Sequence, residues 1–139
     1  MKTSKIKSAL RNTSIAVMAV LIFAGSIQAQ GNNKLDGVKR ERAVKSIIFN
    51  ISNASAGVRD ASINYAGEYK LNEATDALVD LLKKNVEPQT KILIAKSLSM
   101  IGEEKGIDGI RTVAQNEQDQ SVKEVYAKVI SDFESSKKY

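Results

Sequence analysis

Aligned with itself at a shift of 32 residues, the chain keeps the character of its columns from Val58 almost to its end. Val58, Thr90 and Val122 coincide, as do the cations Arg59, Lys91 and Lys123. Ile63, Ala95 and Ala127 form a column, and Ala66, Leu98 and Ile130 another. Gly67, Ser99 and Ser131 are all small, while Tyr69, Ile101 and Phe133 are all large and apolar. Further on, Ala74 meets Gly106, Ala77 meets Gly109, Leu78 meets Ile110 and Leu81 meets Val113. A gapless period between about 20 and 50 residues with helical spacing means units that cannot bury their apolar faces alone and must stack.

The reference unit, Val58 to Asn85, reads as two short amphipathic helices around a tight turn. Asn72 is placed to cap the second helix, with Glu73 in its first turn, and Asn85 closes it after Lys83 and Lys84. Pro88 suits the first turn of the next helix, and Gly102 ends that helix after Ile101. Residues 103–105 lead over to the helix around Ile110, and the last helix is expected over 121–134 with Val122, Val125, Tyr126, Val129, Ile130 and Phe133 on one stripe. Ahead of the repeat, a helix is expected from Asp36, carrying Val44, Ile47, Ile48 and Ile51 on one face, until Asn53–Gly57 breaks it. The expected sum is six helices.

The N-terminus reads as an address. Lys2, Lys5, Lys7 and Arg11 precede an apolar run from Ile15 to Ala24, then small and polar residues to Ala29. This is the layout of a secretory signal peptide over residues 1–29, with cleavage after Ala29 or, as a fallback, Ser26. The run holds about 10 residues, too few to cross a bilayer, which needs about 20, so an uncleaved anchor is the weaker reading. The expected location is periplasmic or secreted. Residues 30–35 are expected to be a disordered leader and 135–139 a frayed tail, with the repeat domain over 36–134.

Composition removes several classes of function. The net charge is +5, but subtracting the four N-terminal cations takes 21 basic residues to 17 against 16 acids, so no electrostatic footprint for nucleic acid remains. The chain has no Cys and no His, which removes thiolate chemistry, disulfides, the commonest general base and the commonest metal ligand.

The stretch Val58–Gly67, VRDASINYAG, resembles the first helix of a HEAT-like repeat, and Ala95–Gly102, AKSLSMIG, resembles that helix's end. Ala74–Leu82 and Gly106–Ala114 resemble its second helix. The resemblance covers about residues 55–134. It implies an all-α fold, a short right-handed α-solenoid of antiparallel helix pairs, and a binding platform that presents its second helices on a concave face. Related repeats also occur in the lyases that attach bilins to phycobiliproteins, which leaves a lyase-like enzyme as a remote alternative. It further implies that Glu87 and Asp119 pair with the cation column in a ladder between units, each pair worth about 0–1 kcal/mol if exposed. Gly67, Ser99 and Ser131 are then close-packing positions.

No catalytic, cofactor-binding or metal-ligating constellation is legible, so the expected activity is non-enzymatic, with no cofactor. The candidate partner surface is the outer face of the second helices: Asp76, Asp80 and Lys83, then Asp108, Arg111 and Thr112. A row Asp76, Asp80, Asp108 would suit a cation or basic peptide, although an ordinary solvated helix face is the blander reading. Tyr69 is assigned to the core by its column, which leaves Tyr65 as the aromatic candidate. The chain is thus expected to bind a protein or peptide, with self-association as the alternative, stacking through Val125, Tyr126 and Phe133 at the open end of the last helix.

Overall fold

A computed structural model describes residues 33–84 and 86–138. The signal peptide and residues 30–32 of the expected leader lie outside them, as does the proposed closing role of Asn85. The chain divides into two units, Met1–Lys39 and Arg40–Tyr139, and the packing below belongs to the second. The described residues are all-α, with helices α1 (Asn33–Asn53), α2 (Ala56–Glu68), α3 (Thr75–Leu82), α4 (Pro88–Ile101), α5 (Glu104–Ala114) and α6 (Gln120–Ser136). A 3-10 turn, Asn72–Ala74, leads into α3. No described helix is long and apolar enough to cross a membrane.

The period survives as geometry. Helices α2, α4 and α6 begin at residues 56, 88 and 120, each 32 after the last. The 3-10 turn with α3 covers 72–82 and α5 covers 104–114, again 32 apart at both ends. The first helices pack side by side, α2 on α4 and α4 on α6, while α3 packs on α5, so the repeat is laid out in two layers. Their shared core holds Ile63, Leu78, Ile94, Leu98, Ile107, Ile110 and Val122, none of them accessible. Full burial stabilises by about 1.5–3 kcal/mol for each side chain of that size.

Small residues let the layers approach. A Cβ on Gly67 would stand 2.9 Å from the Cα of Ser97, and one on Gly109 would stand 2.7 Å from a methyl of Val79. Beside Gly67 the Ser97 hydroxyl donates to the carbonyl of Ile63 at 2.9 Å, tying α4 to α2 inside the core. The expected small column is therefore a packing device only at its first member, since Ser99 and Ser131 are exposed.

Two of the three first helices, α2 and α4, end in a left-handed residue. Gly102, at φ 78°, donates to the carbonyl of Leu98 at 3.0 Å, the single-bond cap expected of it. Lys70, 32 residues earlier, takes φ 49° without being glycine. There the Lys70 amide donates to Gly67 and the Leu71 amide to Ala66, and Leu71 is buried beneath the turn. Asn72 lies inside the 3-10 turn and gives no side-chain cap to it, contrary to expectation, because Leu71 already holds the entry position. The equivalent of Lys70 in the last helix is Glu134, where the chain continues helically to Ser136.

Two ends differ from expectation. Helix α1 starts at Asn33, inside the stretch read as disordered, because Lys34 and Leu35 favour helix and no Pro or Gly separates them from Asp36. The tail is held as far as Lys137. Its ammonium lies 4.8 Å over the Phe133 ring and bonds Glu104, while Ser135 bonds back to the carbonyl of Ser131 at 2.8 Å.

Candidate functional site

Every charged candidate on the second helices already has a partner within the chain. Asp76 is bonded by Lys105 of the next unit. Asp80 lies 3.6 Å from Lys83. Asp108 receives Arg111 at 2.5 Å, and the same guanidinium reaches Glu134 at 3.1 Å and Glu104 at 3.7 Å. These neighbours, Asp108 first, hold Arg111 in its charged form, and Asp76 does the same for Lys105. The Thr112 hydroxyl is turned to its own helix, donating to the carbonyl of Asp108 at 2.9 Å. The acidic row is thus interleaved with cations and is electrostatically close to neutral. Among the described residues no group of three or more acidic side chains is placed to hold a metal ion. Lys83 also borders a hollow of about 380 Å³ between the two helix pairs, with Lys84, Lys91, Leu82, Val113 and Glu117.

The cation column forms one bond between repeats, with a different acid from the one expected. Lys91 donates to Glu117 at 2.8 Å, where the side chains are 19% and 6% exposed. Glu117 also accepts the amides of Gln118 at 2.9 Å and Asp119 at 3.0 Å. Burial pushes its pKa upward, but the Lys91 and amide hydrogen bonds outweigh this and hold it below 4.5. Asp119, the acid expected in the ladder, caps α6 by accepting the amide of Val122 at 3.0 Å. Glu87 is exposed at the start of α4 and makes no side-chain cap. Arg59 rests 3.6 Å from Asp60, the residue beside it. One residue of loop, Gln118, separates the bonding acid from the capping acid, and spacing from the lysine cannot tell them apart.

The tyrosines form the distinctive surface. Tyr65 and Tyr69 are 51% and 67% exposed and stack with ring centroids 6.0 Å apart. Tyr69 is therefore not a core residue. Together they border an apolar groove of about 350 Å³ whose other walls are Arg40, Ala43, Val44 and Ile47 of α1, with Leu71 at its floor. Arg40 is fixed at the rim by a 3.1 Å bond to Glu73.

The columns explain this exposure. Thr90, Ser97, Ile101, Val122 and Val129 are at most 8% exposed, because α4 and α6 each have a first helix packed behind them. Their counterparts in α2 are Val58, Tyr65 and Tyr69, and Val58 is 49% exposed. No first helix precedes α2 among the described residues, so a surface that is interior elsewhere is open here. At the other end, Tyr126 is 1% exposed, and Val125 and Phe133 are packed against the core. The apolar end expected of the last helix is thus absent, since those residues face back onto α4 and α5. No protein-family model matches the sequence, and neither a curated protein nor a solved structure gives a match.

Proposed function

We propose that the chain is an exported, non-enzymatic HEAT-like repeat protein that binds a protein partner, and that it does so at the open edge of α2. The observation that carries this is the exposure of Val58, Tyr65 and Tyr69, whose counterparts Thr90, Ser97, Ile101, Val122 and Val129 are buried, with Phe133 partly buried. Such an edge fits a helix, because the neighbour that buries the same columns in α4 and α6 is a helix in each case. Tyrosine supplies large contact area at small entropic cost, and it is enriched among residues that dominate binding. The two-layer packing and the shared period favour the HEAT-like reading, in which one short solenoid supplies the scaffold. The charged outer face of the second helices is the weaker surface, since Asp76, Asp80 and Asp108 are already paired. Export is favoured by the cationic start and the short apolar run Ile15–Ala24.

A photo-crosslinking residue at position 65 of the full chain, produced in its host, tests this directly. A discrete adduct is expected, lost on Tyr69→Ala and absent when the crosslinker replaces Asp80. No adduct at 65, or the same adduct from 80, would remove the edge from consideration.

A further inference from the structure

One joint of the array carries charge that the repeat does not call for. The hollow of about 380 Å³ between the two helix pairs is bordered by Lys83 and Lys84, just past the end of α3, and by Lys91 in the first turn of α4. Among the described residues Glu117 is the one acid on its wall. Lysines just past a helix end can serve only to complement the helix dipole. The period argues against that here. Helix α5 ends 32 residues after α3, and there Gln115 and Asn116 take the places of Lys83 and Lys84. A helix end at this place in the repeat therefore forms without lysine, and the two cations are particular to this joint. So is the acid, since the position equivalent to Glu117 one period earlier is Asn85.

The three ammonium groups are not used up within the chain. Glu117 is engaged at both oxygens, one by Lys91 at 2.8 Å and the other by the amides of Gln118 and Asp119. Lys91 spends one of its three N–H donors there. Lys83 meets Asp80 at 3.6 Å, where the side chains are 54% and 73% exposed and water screens the contact. Lys84 forms no ion pair among the described residues. The lining thus holds two more positive charges than negative ones, beside a wall that is apolar at Leu82 and Val113.

We infer that this hollow binds a small phosphate monoester, with its phosphate among the three lysines and its carbon body against Leu82 and Val113. Charge selects the headgroup. A phosphate monoester carries about −1.5 to −2 at pH 7, which matches the excess on the lining, whereas a carboxylate carries a single charge. Donor shape agrees. Lysine addresses phosphate as a point charge, while a planar carboxylate is best matched by the fork of arginine, and no arginine borders the hollow among the described residues. The volume lies in the range that takes a small ligand whole. The site is separate from the α2 edge and does not depend on it.

Calorimetric titration of the exported protein with phenyl phosphate at low salt tests this. One equivalent should bind, and benzoate, with the same ring and a single charge, should bind about tenfold more weakly or worse. Lys83→Gln combined with Lys84→Asn copies the end of α5, so the fold should tolerate it, and unchanged melting by circular dichroism checks that. This double variant should weaken phenyl phosphate by about tenfold or more. Asn116→Asp, which puts a carboxylate on the wall of the hollow at almost no change of shape, should do the same. Lys96→Gln, on the groove between α4 and α6, should change nothing. Benzoate bound as tightly as phenyl phosphate would overturn the phosphate assignment. No binding at millimolar concentration, or binding that survives both hollow variants, would overturn the site. Sedimentation with vesicles containing phosphatidate, lost in the double variant, would overturn the free ester in favour of a lipid headgroup.

Discussion

Gly67→Ala is the substitution that best probes how the units are held together. The new Cβ would stand 2.9 Å from the Cα and the Oγ of Ser97 and from the Cε of Met100. The Met100 end can swing away, but the Ser97 Cα is backbone. To reach an ordinary separation of about 3.7 Å, α2 and α4 must part by close to 0.8 Å. That movement strains the buried 2.9 Å bond from Ser97 to the Ile63 carbonyl and loosens packing around Ile63 and Leu98. Overpacking of this kind costs about 1–3 kcal/mol, and weakening the buried bond adds about 1. Replacing a helical glycine returns about 0.5–1 kcal/mol, so the net loss should be about 1–3 kcal/mol. Gly57 supplies the control, since it sits in the same helix with nothing within 4 Å of its Cβ position. Gly57→Ala should therefore be neutral or stabilising by up to about 1 kcal/mol. Denaturant melts followed by circular dichroism at the helix band would separate the two. Ser97→Ala should rescue Gly67→Ala only in part, because the clash with the Ser97 backbone stays in place. A Gly67→Ala protein as stable as Gly57→Ala would refute the close-packing account.

Lys70→Gly should raise stability by about 0.5–1 kcal/mol by relieving a left-handed side-chain residue, while Gly102→Ala should lower it by about 1–2; equal effects in thermal melts would contradict the cap assignment. Lys91→Ala should cost about 3 kcal/mol in urea melts, the low end for breaking a buried pair, because two amide bonds still hold Glu117. Because the folded-state pKa of Glu117 lies below 4.5, its contribution is complete above that pH and is lost as pH falls through the folded value. Glu117→Gln should accordingly flatten the decline of stability below about pH 4.5, and an unchanged acid limb would show that the carboxylate is not the group responsible. Tyr126 buries a hydroxyl without a hydrogen-bond partner among the described residues, and burial first, then the Glu117 charge, pushes its ionisation upward. Tyr126→Phe should therefore stabilise by about 1 kcal/mol, and a loss of that size in the same melts would mean that the hydroxyl has a partner after all.

The period, the helix phases and the roles of Pro88 and Gly102 were legible because each is a local property repeated in register. What escaped was the behaviour of ends and loops. A column assigns Tyr69 to the core only if something lies on both sides of its helix, and the alignment holds no information about a missing neighbour. The same blindness left Tyr126 and Phe133 at an imagined apolar end, when they face inward. Lys70 was missed because left-handed caps are read from glycine, yet the buried Leu71 that follows it secures the same turn. The charged row of Asp76, Asp80 and Asp108 was visible, as was the i,i+3 spacing of Lys83 and Arg111 from Asp80 and Asp108, but that Lys105 reaches Asp76 from the next unit is shown only by packing.

The two joints inside the chain are keyed differently. One carries the Ser97 hydroxyl on the Ile63 carbonyl, the other the Lys91 ammonium on the Glu117 carboxylate. A protein built from near-equivalent segments risks docking them in the wrong order, and apolar surfaces alone discriminate poorly between such arrangements. Unlike polar contacts make a swapped order leave a buried group unmatched, which costs more than the lost bond itself. Sequence order is thereby written into the molecule as lock and key. Among the described residues, the open edge of α2 carries neither contact.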